Sequence, residues 1–523
     1  MKTAKDYSRA KQVYFKPEIK LCPHCNQPLK RSHIAWKKNI FTLKELLKVT
    51  SYAYHCKNKT CPKPKQTYRS TEAEMLCLKY YQFSIDVITK IGYLYFREHK
   101  TIDEIKQTLH KLQISRSEIN LLYQAYLALT TANKQQDTTY LNKIKANGGI
   151  ILALDGVQPE KGNETLWILK DHNTKQTLLA KNLSTADRDS IASLLREIKA
   201  LDIPVKGIIS DGQRSIRLAV KQEFPGVPHQ LCHFHFLRNI ARPISEMDRA
   251  LKVDLKKKVR GIKPIEQNVA FKTDKQSQLI FKYCQAIRFA LQDDGCYPLE
   301  PGGLKLYHRL RRIQQSLTLD LKVHPNLELE KLLRKLSIVD ELKPQYRRVK
   351  RLQCLIFEAN NILKQSVNSG KVEADMLAYF EKLTKIQFRR REDRVGVNNV
   401  LRFMASYWEG LFCHYDYMEI PRTNNDLERF IGKLKVTHRK TTGRASCQGF
   451  VVRYGAYVAL LDDSLGQGEV LFRLRLVEYG AFRRWFCQIR AFRGRLSLKR
   501  SLSMNFDVCI RALELEWAKI PVW

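Results

Sequence analysis

The sequence predicts an α/β fold, a strand-and-helix core split by a long helical insertion, with a cysteine-bound ribbon and a pair of short helices ahead of it. Three observations predict it. Apolar runs that close on Asp-Gly occur at Leu154-Asp155-Gly156 and Ser210-Asp211-Gly212. The stretch 246–417 reads mostly helical and carries no comparable strand signal. Near the N-terminus, Cys22-Pro-His-Cys25 and Cys56-Lys-Asn-Lys-Thr-Cys61 form two tight cysteine pairs.

A chain of 523 residues exceeds one hydrophobic core, so three or four domains are expected. No apolar run approaches the roughly 18 residues of a membrane helix. Residues 1–15 lack the apolar segment of a secretory signal, so a cytoplasmic, nucleoid-associated location without membrane contact is expected. The 92 Lys and Arg against 52 Asp and Glu give a net charge of +40. Such a chain attracts polyanions, and nucleic acid is the default partner because phosphate neutralisation releases counterions. The charge is uneven: +16 over residues 1–150, +2 over 151–240 and +11 over 429–523. A nearly balanced segment between basic flanks suits acidic metal ligands bordered by nucleic-acid surfaces.

The cysteine pairs set the first domain, 1–80. Paired thiolates on two tight turns supply a tetrahedral zinc site, so Cys22, Cys25, Cys56 and Cys61 are the expected ligands of a structural Zn²⁺. His24, His33 and His55 are alternative donors. The remaining nine of the thirteen cysteines are scattered, and no disulfide framework is expected. Residues 84–130 carry two S/T-x-x-E signatures, Thr101-Ile-Asp-Glu104 and Ser115-Arg-Ser-Glu118, each opening an amphipathic helix. The pair reads as a helix-turn-helix whose second helix offers Arg116, Ser117 and Asn120 to a major groove, or else as a plain helical bundle. Residues 131–147 are polar and read as a linker.

The core begins at 148. Strands are expected at 148–155, 165–170, 176–183 and 205–211, helices at 187–201 and 213–223, and a further strand runs into a helix from His229. Three strands, a helix, a strand, a helix and a strand match an RNase H-like order, in which neighbouring strands present carboxylates side by side. Asp155 and Asp211 are then candidate ligands of two Mg²⁺ (or Mn²⁺) ions, Lewis acids for in-line phosphoryl transfer. Asp-Gly is also an ordinary turn dipeptide. A third carboxylate is expected from Pro421-Arg-Thr-Asn-Asn-Asp-Leu-Glu428, where Asn424, Glu428 and Lys435 share a helix face while Leu427, Ile431 and Leu434 point inward. Glu409, Glu419 and Asp426 are its rivals. Lys433, Lys435, Arg439, Lys440 and Arg444 follow and suit a phosphate backbone.

Asp155-Gly, Ser-Asp211-Gly, Cys232-x-x-His235 and Thr-Asn-Asn-Asp-Leu-Glu428 together resemble the DDE transposases of the Mutator-like superfamily and their bacterial insertion-sequence relatives. The resemblance covers residues 150–245 and 400–460. It implies an RNase H-like domain divided into 148–245 and 421–465 by a helical insertion, here 246–420, with 466–523 as a basic C-terminal region. It implies that Asp155, Asp211 and Glu428 are catalytic, with Cys232, His235 and Asn424 beside them. Cys232 and His235 also fit a core cysteine and a hydrogen-bonded histidine. Trp408 suits either a stacked, extruded base or a core position. Arg483, Arg484, Arg490, Arg493, Arg495, Lys499 and Arg500 interleave with Phe482, Trp485, Phe486 and Phe492, a pattern that favours nucleic acid. The resulting expectation is a transposase that binds double-stranded DNA at element ends and target, as a homodimer or larger assembly, and cuts and joins strands. An RNase H-like nuclease without joining, and a non-catalytic DNA-binding regulator, are the alternatives.

Overall fold

Two sheets form around the two features that the sequence marks, the cysteine pairs and the Asp-Gly strands. The computed structural model describes residues 5–136, 139–157, 164–387, 390–444 and 446–519, with the side chains at 139, 143, 448, 492–500 and 503 excluded. Phe492, Arg493, Arg495, Lys499 and Arg500 of the C-terminal basic run therefore lie outside the described side chains. The chain divides into two compact units, Met1–Ile150 with Leu154–Pro204 and Asp426–Trp523, and Ile151–Ala153 with Val205–Asn425.

In the first unit, β1 (Lys11–Phe15), β2 (Leu29–Phe41), β3 (Leu46–Cys56) and β4 (Thr67–Tyr68) make a mixed sheet. β1 pairs parallel with β3, and β2 and β4 pair antiparallel with it. Thr42 closes the β2–β3 hairpin: its Oγ1 accepts the amides of Lys44 and Glu45 at 3.2 and 3.1 Å. The Ile102–Thr108 helix opens on the expected capping box of Thr101 and Glu104. At the Arg116–Gln136 helix, Glu118 Oε2 accepts the Ser115 amide at 2.9 Å and Ser115 Oγ accepts the Glu118 amide at 3.3 Å. The Ile85–Phe96 helix meets that helix at Gly92, where a Cβ would lie 2.2 Å from the Tyr126 ring, so only glycine permits this approach.

Most of the linker expected at 131–147 is instead helical, over 131–136 and 139–146. The Arg116–Gln136 helix runs through its start, and a further helix spans Thr139–Ala146. The reason is burial: Ala128, Leu129, Thr131 and Ala132 are covered. The same helix binds a distant one, with Tyr123 Oη 3.2 Å from Tyr454 Oη. Tertiary packing thus overrides a polar local composition.

The second sheet contains β5 (Ile150–Val157), β6 (Thr165–Asp171), β7 (Thr177–Leu183), β8 (Val205–Ser210) and β9 (His229–Leu231), in the order β7-β6-β5-β8-β9. β6 and β7 are antiparallel, and β8 and β9 are parallel. The first unit's side of this sheet is backed by the Gln448–Val458 helix, where a Cβ on Gly455 would lie 2.5 Å from Leu166, and Asn182 donates to the Val452 carbonyl at 2.7 Å. The insertion is helical from the His233–Lys258 helix to the Arg391–Tyr407 helix. Its helices surround two apolar clusters, one built around Ile240, Ile356, Met376 and Val400, the other around Leu255, Ile287, Leu310 and Leu332. Buried Asp248 crosses from one helix to cap another, accepting the Gly303 and Leu304 amides at 2.8 Å each. Among the described residues, no helix is long and apolar enough to cross a membrane.

Candidate active site

The second unit gathers Asp211 and its expected companions. Asp211 follows the buried strand β8, whose Gly207–Ser210 stretch is inaccessible to solvent. Its Oδ1 accepts the Gln213 amide at 3.1 Å, opening the Arg214–Glu223 helix. Burial pushes the Asp211 carboxyl above the usual carboxylate range, opposed by that hydrogen bond and by His235. Cys232 is fully buried, and its amide donates to the Ser210 carbonyl at 2.8 Å. The Asn424 amide points at Cys232 Sγ, 3.4 Å away. Cys232, His235 and Asn424 therefore do pack around the Asp211 strand end. Asn424 is itself buried.

Tyr407 completes this cluster and was not singled out in the sequence, although it ends a buried helical stripe of Val397, Val400 and Met404. It accepts a hydrogen bond from Asn239 Nδ2 at 2.9 Å. Burial, and then the charge of Asp211, push its phenol up to about 12, so it stays protonated at neutral pH. A Cβ on Gly212 would lie 1.9 Å from Tyr407 Cζ, so the glycine after Asp211 is needed for this close approach rather than for a turn alone. Gly212→Ala is expected to cost roughly 1–3 kcal/mol through that overlap. Thermal melting of the variant checks this, and an unchanged melting curve contradicts the contact. Below the cluster, Ser210 Oγ lies 2.8 Å from His229 Nε2, and burial takes His229 down to about 4, so it is neutral.

Asp155 and Glu428 belong to the first unit. Asp155 stands half-buried near the end of β5, and its Oδ1 accepts the Gly156 amide at 2.7 Å. Glu428 lies in the first turn of the Asn425–Thr442 helix, which buries Leu427, Ile431 and Leu434 as expected. Its Oε1 is shielded from solvent. The β6–β7 turn grips the same helix end. Lys175 forms an ion pair with Asp426, His172 Nδ1 lies 3.9 Å from that carboxylate, and Lys170 Nζ sits 3.7 Å from the Phe430 ring centroid. Asp171 holds the turn in shape by accepting from the Thr174 amide at 2.8 Å. Burial lowers Lys170 to about 8. Asp426 is thus committed to Lys175, His172 and Arg429, which separates it from Glu428 as a metal-ligand candidate. Lys433, Arg439, Lys440 and Arg444 are exposed along and beyond this helix, and Lys435 is half-buried.

Four other expected contact residues have local partners. Arg116 makes a bidentate pair with Asp103 at 2.6 and 2.5 Å, exposed on both sides, and Asn120 Nδ2 donates to the Arg116 carbonyl at 2.9 Å. An exposed pair of this kind is worth about 0–1 kcal/mol, so it opens readily to a phosphate. Ser117 Oγ lies 3.0 Å from Ser115 Oγ. Trp408 packs edge-on against Phe412, and its indole N–H donates to Glu373 at 3.1 Å.

The cysteine pairs converge. The four sulfurs of Cys22, Cys25, Cys56 and Cys61 lie within 4.8 Å of one another, and all but Cys25 are buried. Amides of His24 and Cys25 aimed at Cys22 draw its thiol below the usual thiol range, and the Asn58 amide points at Cys56 Sγ from 3.4 Å. Backbone donors around a cluster of four thiols fit a zinc ion. The rival donor His24 turns away to Gln66, 3.2 Å from its Oε1.

None of the curated proteins compared with the chain matches it. Residues 168–239 match the family model of the MULE transposase domain, so the segment from β6 into the helix after β9, which holds Asp211, Cys232 and His235, is identified as a Mutator-like transposase domain.

Proposed function

We propose that the protein is a DDE-type DNA transposase with an RNase H-like core, which binds element ends and catalyses metal-dependent strand cleavage and strand transfer. The observation that carries this reading is the family match over the very segment in which Asp211 leaves a buried strand beside Cys232 and His235. The strand order β7-β6-β5-β8-β9 supports it too, because β5 and β8 are neighbours, β5 carries Asp155-Gly156 near its end and Asp211-Gly212 follows β8 directly.

Asp155, Asp211 and Glu428 are the residues that would hold two Mg²⁺ ions, and their all-oxygen donor set fits such ions. Bound there, the ions would supply the Lewis acidity that in-line phosphoryl transfer uses. The chain's own contribution is placement. The β6–β7 turn fixes the start of the Glu428 helix through Lys175 and Asp426, while Gly212 and Tyr407 fix the end of β8. Tyr407, protonated, holds its orientation through Asn239. The exposed cations from Lys433 to Arg444 suit a phosphate backbone, and the cysteine-bound sheet with the helices after it suits sequence reading at the element ends. Handling two ends together calls for a dimer or larger assembly.

The test is a strand-transfer assay with Mg²⁺ on duplexes carrying the DNA that flanks the coding sequence. Cut and joined products are expected. Cutting without joining would make the protein a nuclease, and binding alone would make it a regulator. In the same assay Glu428→Gln is expected to lose activity at least about a hundredfold, whereas Asp426→Asn, which removes only half-exposed ion pairs to Lys175 and Arg429 worth about 0–1 kcal/mol each, should lose less than about threefold. The reverse ranking would give the third carboxylate to Asp426.

A further inference from the structure

The helical insertion contains a groove of about 760 Å³ between the Lys275–Gln292, Gly302–Val323 and Lys343–Leu363 helices, all within the second unit. Its walls are aromatic. Phe289 is 65% exposed and Phe357 is 37% exposed, and Tyr346 and Ile313 line the same groove. Apolar surface gathered in one groove and rimmed by polar residues marks a binding site, unlike exposed rings scattered singly. The rim is cationic. His308, Arg312 and Lys350 are exposed along it, and among the described residues no ion pair holds Arg312 or Lys350. The Arg309 guanidinium lies 5.3 Å from the Phe289 ring centroid. The one acidic residue on the rim, Glu300, faces Lys305 at 3.5 Å.

These features select an occupant. A partner's apolar helix would leave the cations of the rim unmatched. Duplex DNA would match the cations but not the rings, because its bases are already stacked on one another. Unpaired nucleotides satisfy both, with bases on aromatic faces and phosphates on Arg and Lys. We propose that this groove binds single-stranded DNA, with bases stacked on Phe289 and Phe357 and phosphates on Arg312 and Lys350. The inference rests on the DNA-processing reading above, in which cutting and joining expose unpaired strand ends, and it gives the insertion the task of holding one.

The test uses the full-length chain and a fluorescent oligothymidine of about 12 nucleotides, within the span of a typical single-strand site. Its affinity at roughly physiological salt is compared with that of a duplex of equal length. The Phe289→Ala/Phe357→Ala variant is expected to bind the single strand roughly 10–100-fold more weakly. Phe289→Tyr/Phe357→Tyr, which keeps the rings, should bind like the parent. Arg312→Ala/Lys350→Ala should flatten the salt dependence of single-strand binding by a slope of about 1.4, the value for two phosphate contacts. All three should bind the duplex within about twofold of the parent, since phosphate contacts elsewhere carry it. Photocrosslinks from 5-iodouracil placed in the oligonucleotide should fall on peptides containing Phe289 or Phe357. If single-strand binding is unchanged in both alanine variants while duplex binding is normal, the groove assignment fails and the DNA reading stands. A change in sedimentation of the phenylalanine variant without a change in single-strand affinity would give the groove to a second copy of the chain. Failure of the parent protein to bind either DNA would remove the DNA reading itself.

Discussion

Asp211→Asn is expected to reduce DNA cleavage by about a thousandfold or more while leaving DNA affinity within a factor of about two. The substitution keeps the shape of the side chain and one acceptor oxygen for the Gln213 amide, so the β8 end and the helix after it should hold. It removes a charge that a divalent cation would bind. A second, independent consequence concerns stability. Burial raises the Asp211 carboxyl, so the folded, metal-free chain binds a proton more tightly there than the unfolded chain. Such a group penalises the fold increasingly as pH rises from the unfolded carboxylate range through the raised folded value. At pH 7 without metal, the asparagine variant should therefore melt higher than the parent, with the difference vanishing as pH falls below about 4. Adding Mg²⁺ should raise the melting temperature of the parent and not of the variant, because a ligand that binds only the native state stabilises it by mass action. Asp155→Asn should match the loss of cleavage. Retained cleavage in either variant would take that carboxylate out of the chemistry.

Much of the chain was legible because its signals are local. The buried runs before Asp155 and Asp211 are strands, and the signatures at Thr101 and Ser115 open helices through the expected reciprocal hydrogen bonds. The spacing of Leu427, Ile431 and Leu434 marked the buried face of the Glu428 helix. What stayed hidden depends on partners remote in sequence. Lys175 and Asp426 are 251 positions apart, and neither residue type signals its choice of partner. Tyr407 lies in a helical stripe that reads only as core, and its role at Gly212 follows from backbone proximity that no periodicity encodes. Residues 131–147 read as a linker because their composition is polar, yet Thr131 and Ala132 are buried, and the helix that carries them packs against the C-terminal helices. Arg116 illustrates the same limit on the surface, since the helix spacing that marks it as a groove reader says nothing of Asp103 across the turn.

Cys22→Ser with Cys25→Ser is expected to remove one zinc per chain and to unfold one end of the N-terminal sheet. The two ends of that sheet differ in what holds them. Away from the cysteines, Ile40, Leu47, Val49 and Cys77 form a small apolar core, and nearby the Phe41 ring lies tilted against Phe83, 5.4 Å between centroids. At the cysteine end the buried cluster is Cys22, Leu29, Cys56 and Cys61, so the sulfurs themselves are most of the interior. Without a shared ion the buried thiols offer little cohesion, whereas structural zinc contributes on the order of 10 kcal/mol to small folds at pH 7. Hydrogen exchange should therefore accelerate sharply over residues 20–30 and 54–68 and little over residues 38–49. Cys77→Ser is the control. Burial pushes that thiol up to about 11, and its S–H donates to the Tyr81 and Phe83 carbonyls, so it acts as a core residue. Its replacement should leave the zinc content at one. Binding to element-end duplexes should weaken at least about tenfold in the double serine variant, if the ribbon presents β2 and its basic residues to DNA. Full zinc content by native mass spectrometry in that variant, or uniform exchange along β2 and β3, would show that this sheet stands on its apolar core and that the four sulfurs hold no ion.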